Sequence, residues 1–387
     1  MYKRRVVITD MEIYSANGFL KDTFKKYTEN KLVKSGEVEI SEIIYPALIY
    51  FDDCDTVSIE RTNDKTMTEA TKYAYQTVAK IYERQKLTTL DTEKSIIGIV
   101  AGNTVSTQYS KEIYKTSDIF KALNNNTATN IAKSFNLNGS VIPNSASCAT
   151  SLHSLILGYN EIISGNNDIM FVSGSDEWTP FMQTVFDKLN IASEDKCRPF
   201  FLNRNGTVIG DGASTFLLEE LNHAMDRGAT IYGEILGTCI SQSSSLAYST
   251  KDSILYTMNM ALKNACEFVE DRLGIDVLDT HGTGTEIGDA SEAEAINSCN
   301  YSNTKVVAWK YYLQHLLAAG GLAELAMTIM CLKRNTPLND IRDIAEQEAT
   351  KSIIRKGLIF PRTNKFYTIM KNSFGLGGIN TSVVLRV

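Results

Sequence analysis

The chain has 387 residues, 43% of them hydrophobic, with 39 Lys plus Arg against 45 Asp plus Glu and a net charge of −6. That length supports two or three domains or one large doubly wound α/β unit, and the acidic balance argues against general nucleic-acid or anionic-membrane binding while leaving room for a local basic patch. No window approaches 18 uninterrupted apolar residues, and the seven cysteines (Cys54, Cys148, Cys197, Cys239, Cys266, Cys299, Cys331) form no CxxC pair, which points to a reduced, cytoplasmic protein and excludes a disulfide framework or zinc ribbon.

The apolar run in MYKRRVVITDMEIYSANG is too short for a signal sequence and reads as a first strand, Arg5 to Thr9. Leu20 to Asp64 is polar and weakly patterned, loops with short elements that could cover a cleft. Thr66 to Gln85 sets Ala70, Tyr73, Ala74, Thr77, Val78 and Ile81 on one helical face, and Ser95 to Val100 follows as a buried strand. Such alternation indicates a sheet with helices on its faces.

VIPNSASCATSLHSLILGYNEIISGNNDIMFVSGSDE, Val141 to Glu177, reads as a turn carrying Cys148, a helix from about Ala149 to Ser164, and a buried strand from Ile169 to Val172. Free N–H groups and the dipole at a helix start favour a thiolate, so Cys148 is a candidate nucleophile; a buried structural thiol is the alternative. Beyond it come a turn at Asn203 to Gly206, a Gly-Asp-Gly bend at Gly210 to Gly212 that reads as a tight turn, and a strand, Ser214 to Leu218. No GxGxxG or GxxxxGK[ST] motif occurs.

After Ala224 to Ala229 a second series begins: strand Ile231 to Leu236, helix Ile254 to Val269, strand Ile275 to Leu278, then His281. In DTHGTGTEIGDASEAEAI, Gly282, Gly284 and Gly288 let backbone approach a ligand, Thr283 and Thr285 add hydroxyls, and Asp289 with Glu292 has the D-x-x-E spacing of a helix start. In KVVAWKYYLQHLLAAGGLAELAMTIMCL, a strand from Val306 to Trp309 leads to Lys310 and His315, a small-residue helix start at Ala318 to Gly321, and Glu324, a single acid on an apolar helix that needs a partner. The C-terminal MKNSFGLGGINTSVVLRV reads as a closing strand, Thr381 to Val387, after a turn in which Gly375, Gly377 and Gly378 surround Leu376 and expose backbone N–H groups suited to an oxyanion hole or a gate.

Together, Ser-Cys-Ala-Thr at Cys148, HGTGTEIGD at His281 followed by Glu292, Lys310 five residues before His315 and fourteen before Glu324, and Asn-Ser-Phe-Gly-Leu-Gly-Gly resemble the β-ketoacyl-acyl-carrier-protein synthases, the Cys-His-His class of the thiolase superfamily. The stretch from Cys197 to Ala213 is similar too, and the resemblance runs from about residue 95 to the end. It implies an α/β, thiolase-like five-layer fold (α-β-α-β-α) built from two pseudo-duplicated halves, here 1–224 and 225–387. The implied reaction is decarboxylative condensation of two thioesters, in polyketide or polyene synthesis or in fatty-acid synthesis. Cys148 would carry the acyl group, with the N–H groups of Cys148 and Leu376 as the oxyanion hole. His281 and His315 would hold the enolate, Lys310 paired with Glu324 would orient His315, and Thr283, Thr285, Phe374 and Leu376 would contact substrate. No metal and no cofactor is implied beyond the phosphopantetheine of an acyl carrier protein. That carrier is the expected partner, with a homodimer or a heterodimer with a second ketosynthase-like subunit.

Four positions depart from the resembling family: Tyr311 and Gln314 stand where serine and glycine are usual, Leu376 replaces a gating phenylalanine, and Ile379 stands where a polar residue is common. These bulkier or ring-less residues favour a specialised polyketide or polyene synthase over a housekeeping elongation enzyme. A chain-length-factor-like subunit would lack the nucleophile that Cys148 supplies. A zinc site from Cys148, His281 and His315 is disfavoured by the nearby Lys310 charge.

Overall fold

β1 (Val6–Ser15) opens the chain, followed by β2 (Gly18–Phe19), α1 (Leu20–Thr28), β3 (Gly36–Ile40), β4 (Ile43–Ala47), α2 (Glu69–Arg84), β5 (Ile97–Gly102), α3 (Thr116–Ala122), α4 (Asn126–Phe135), β6 (Val141–Asn144), α5 (Thr150–Ile163), β7 (Ile169–Asp176), α6 (Pro180–Lys188), β8 (Gly212–Glu220) and α7 (Leu221–Asp226). The second series is β9 (Gly233–Gln242), α8 (Lys251–Val269), β10 (Val277–Asp279), α9 (Glu286–Ser298), β11 (Lys305–Val307), α10 (Lys310–Leu313), α11 (Gly320–Lys333), α12 (Ile341–Gln347), β12 (Thr368–Gly375) and β13 (Ile379–Arg386). The computed structural model describes residues 4–32, 36–40, 43–47, 66–87, 95–104, 116–299, 304–355 and 366–387. The later part of the segment expected to cover a cleft, with Cys54, lies outside the described residues.

The two series build the same sheet twice. Strand order is β6-β5-β7-β8-β1 in one and β11-β10-β12-β13-β9 in the other. In each the first three strands are parallel and the last two antiparallel. The sheets join edge to edge where Val6, Val7 and Ile8 of β1 pair antiparallel with Ile235, Glu234 and Gly233 of β9.

Between the sheets lie α5 and α11, each touching strands of both halves, while α2 and α4 cover one outer face and α8 with α9 the other. The sequence dictates this placement for α11: Leu322, Ala323, Leu325, Ala326, Met327 and Ile329 are all buried, and a helix apolar all round belongs in a core. Gly321 lets the two central helices meet, since a Cβ there would stand 3.1 Å from Ser151 Oγ and 3.2 Å from Leu152 Cβ.

β1, β7 and β8 outrun their expected limits, whereas β10 and β11 are shorter than expected, at 3 residues each. β1 reaches Ser15 because Asp10 and Glu12, which interrupt the apolar pattern, are buried and answered by Arg84 at 2.7 and 2.9 Å. The C-terminal segment, expected to close a sheet, is an interior strand between β12 and β9. Among the described residues no helix is long and apolar enough to cross a membrane.

Candidate active site

Cys148 sits on a sharp turn between β6 and α5, with Ser147 in the left-handed region at φ 50°. The turn is closed by N–H donation from Ala149 to the Ala146 carbonyl and from Thr150 to the Ser147 carbonyl, both at 3.0 Å, and by the Thr150 hydroxyl to the Ser147 carbonyl at 2.6 Å. Ser373 of β12 donates its hydroxyl to the Cys148 carbonyl at 3.2 Å, so the second half helps to hold the nucleophile of the first.

The turn stands where expected, but burial removes the thiolate that the helix start was expected to favour. Cys148 precedes α5 by two residues and packs among Met182, Phe186, Ile209 and Leu317, 5% exposed. Burial pushes the thiol up to about 11, against the opposing Ser147 hydroxyl and Lys310 ammonium. The resting group is therefore a thiol, and its proton has to pass to a neighbour during attack.

That neighbour is available in His281 and His315, whose ring centroids lie 5.8 Å apart, edge to face. Burial first, then the Lys310 charge, holds both imidazoles well below the usual histidine range, so both are neutral at pH 7 and each offers one N–H donor and one lone pair. Among the described residues, Nδ1 of each ring is buried without a hydrogen-bond partner.

The loop carrying His281 is held from α9. Glu292 accepts from His281 N and Gly282 N, both at 2.9 Å; Asp289 accepts from Thr283 N at 2.9 Å, Gly284 N at 3.1 Å and Phe200 N at 2.6 Å. The D-x-x-E pair is thus no helix start: α9 begins earlier, after Thr285, and both acids turn back onto the loop. Gly284, at φ 77°, passes so close to Gly206 that a Cβ would stand 2.6 Å from its carbonyl oxygen. His315 is seated by backbone pairing, its N–H to Val208 O at 2.8 Å and its carbonyl accepting from Gly210 N at 3.0 Å. The Gly-Asp-Gly bend therefore serves to position a histidine.

Lys310 starts α10 and donates to His281 O at 2.6 Å and to Glu324 Oε1 at 2.7 Å. Its direct contact is with the main chain of His281; the expected orientation of His315 comes instead from the 208–210 strand segment. Sequence reasoning missed Lys371, buried in β12, which bonds Glu324, Asp279 and the Thr280 carbonyl. It missed Asp176 as well, buried at the end of β7, which accepts from Ala318 N at 2.8 Å and from Thr104 N at 3.0 Å and so ties the nucleophile's half to the His315 segment. It also missed the backbone of Gln314, at φ 58° and ψ −168°, a conformation that glycine adopts without cost and other residues hold only under strain. Gln314 compensates in part by accepting from Cys197 N at 3.2 Å.

A cavity of about 500 Å³ brings these groups together: Cys148, His281, His315, Phe374 and Leu376 line it, with Thr283 and Thr285. The two threonine hydroxyls are 2.9 Å apart, and the Phe374 ring packs edge-on to His281 at 5.4 Å. Exposed Leu189, Tyr248 and Ile287 also belong to its wall. The Leu376 turn rests on the nucleophile's turn, since a Cβ on Gly375 would meet Ala146 O at 2.4 Å. Among the described residues no three His, Cys, Asp or Glu side chains are grouped so as to hold a metal ion.

Two matching sheets around a shared helical layer, with a cysteine from one half and two histidines from the other, define a thiolase-like protein of the Cys-His-His class. The chain belongs to the β-ketoacyl synthase family: the family's N-terminal domain matches residues 22–224 and its C-terminal domain residues 232–355. It is 33% identical over 265 residues to 3-oxoacyl-[acyl-carrier-protein] synthase 1 of Buchnera aphidicola from Acyrthosiphon pisum, a match covering 65% of this chain and 63% of that protein. The match therefore spans a little less than two thirds of that relative's length. Among solved structures, a β-ketoacyl synthase from Burkholderia phymatum superimposes with a TM-score of 0.82 at 23% identity over 99% of both chains. The ketosynthase ApeO, in complex with its chain length factor ApeC from Xenorhabdus doucetiae, gives 0.81 at 19% identity over 100% of both. At these identities the two structures speak for the fold.

Proposed function

We propose that the protein is a β-ketoacyl-acyl-carrier-protein synthase, with residues 1–224 and 225–387 as its two halves. The observation that carries this reading is the single cavity lined by Cys148, His281 and His315. In the first step the Cys148 sulfur attacks the acyl thioester of a carrier protein, and the thiol proton passes through a neutral imidazole to the departing phosphopantetheine thiolate. The tetrahedral oxyanion faces the N–H groups of Cys148 and Leu376, on turns that touch. Malonyl-carrier protein then enters past Thr283 and Thr285, and the bond to its carboxylate breaks to release carbon dioxide. N–H donors of His281 and His315 hold the resulting enolate oxygen. The enolate carbon attacks the acyl carbonyl, the bond to sulfur breaks, and the cysteine thiolate regains a proton as the β-ketoacyl product leaves.

The carrier's phosphopantetheine arm brings the reactive groups, so the cycle needs no cofactor of the protein's own. A second ketosynthase-like subunit, identical or distinct, is the expected partner; the fold shared with a ketosynthase bound to a chain length factor supports this. The test separates the two half-reactions. His281→Ala and His315→Ala should each lose release of carbon dioxide from malonyl-carrier protein by about 10²-fold or more, while at least one still loads Cys148. Normal release in both variants would refute the assigned roles.

A further inference from the structure

Lys371 is wholly buried in β12, and the steps above give it no task. A buried ammonium is tolerated only where oxygens replace its water. Lys371 has three: Asp279 Oδ1 at 2.7 Å, Thr280 O at 3.0 Å and Glu324 Oε2 at 2.5 Å. Each leads to His281. Thr280 is the preceding residue in the chain, and the other oxygen of Glu324 holds Lys310, which grips the His281 carbonyl at 2.6 Å. Asp279 ends the strand that delivers the loop, its second oxygen taken by the Thr328 hydroxyl at 2.6 Å, which in turn accepts from Trp309 Nε1 at 2.7 Å.

Two ammonium groups thus face two carboxylates in a site closed to water, and the charges balance. Resting on the condensing reading above, we propose that Lys371 is a positioning residue for His281: a built-in cation that bridges the buried Asp279 and Glu324 side chains and so keeps Lys310 locked on the His281 carbonyl. Burial pushes the Asp279 carboxyl up and Lys371 opposes it, while Glu324 repels it. Burial disfavours the Lys371 charge, but Asp279 and Glu324 outweigh it and raise the group overall. Without that ammonium, Asp279 would keep its burial and lose the cation that opposes it, and it would take up a proton more readily. The charged and titratable groups facing Lys371 are Asp279 from β10, Glu324 from α11, Lys310 from α10 and the His281 ring, with Glu292 of α9 beyond the His281 main chain.

Lys371→Met keeps the length of the side chain and removes the charge. Carbon dioxide release from malonyl-carrier protein should lose its acid side, the limb moving up by about one pH unit or more with recovery toward alkaline pH. Loading of Cys148, measured on the same preparation, should move less. Lys371→Met combined with Asp279→Asn restores the charge balance and should return the limb to its wild-type position; a residue that merely fills space would not respond to its partner in this way. An active wild type beside a folded Lys371→Met with an unmoved limb overturns the proposal, as does a double variant shifted as far as the single one, or failure of both variants to fold. A wild type that neither loads Cys148 nor releases carbon dioxide overturns the condensing reading itself, and the proposal with it.

Discussion

Replacing Gly375 by alanine would place a methyl carbon 2.4 Å from the Ala146 carbonyl oxygen and 3.2 Å from Ser147 Cβ. The nearer atom is backbone of the turn that presents Cys148, so no side chain can rotate away. Reaching ordinary van der Waals contact requires a displacement of about 1 Å between the Leu376 turn and the nucleophile. A misplacement of that size costs about 10²-fold in a step that depends on alignment, whereas the overpacking itself costs about 1–3 kcal/mol of stability. Single-turnover loading of Cys148 from an acyl-carrier protein, followed by intact mass, should slow by that factor with only a modest fall in melting temperature. Gly377→Ala is the control: at φ 94° with nothing within 4 Å, it strains the turn without pushing on the nucleophile, and its loading should slow less. Loading of Gly375→Ala at the wild-type rate would show that contact between the two turns does not build the oxyanion site.

Two further outcomes follow from single residues. Leu376→Phe puts a ring into the cavity wall and should leave loading of short acyl groups intact while lowering turnover of long or polyunsaturated ones; equal rate ratios for saturated and polyene primers on both proteins would refute a role in chain selection. Asp176 is pushed by burial from 3.8 up to about 7, so its share of stability is full below the unfolded value and is lost as pH rises through about 7, a swing of about 4 kcal/mol. Asp176→Asn has a single acceptor oxygen and cannot accept from both Thr104 N and Ala318 N, so it should melt lower in acid, but its melting temperature should fall less than the wild type's between about pH 5 and pH 8.

The chemistry-bearing residues were legible because each stands at the end of a readable element. α5 begins and ends within a residue of its expected limits, and the order of the Cys148, His281, Lys310 and Gly375 motifs names the family. What spacing could not show was direction. Asp289 and Glu292 sit where a helix start would put them, yet their carboxylates serve the preceding loop. Nothing in MKNSF marks Lys371 as buried, and only the meeting of β10, β12 and α11 reveals two acids around it. The start of α6 carries its own local signal, Thr179, which accepts from Met182 N at 3.2 Å, followed by proline at the first helical position. Gln314 shows the converse: the sequence hints at it only by placing glutamine where the family usually has glycine, and its strained backbone becomes visible with the seating of His315.

The central claim is that Cys148 carries the acyl group through condensation. Its most direct test is the mass of the Cys148 peptide after incubation with an acyl-carrier protein, before and after malonyl-carrier protein is added. A covalent acyl adduct should form on Cys148, absent in Cys148→Ala, and malonyl-carrier protein should discharge it as a β-ketoacyl product with release of carbon dioxide. An adduct that persists in Cys148→Ala, or one on Cys148 that malonyl-carrier protein never discharges, would contradict it.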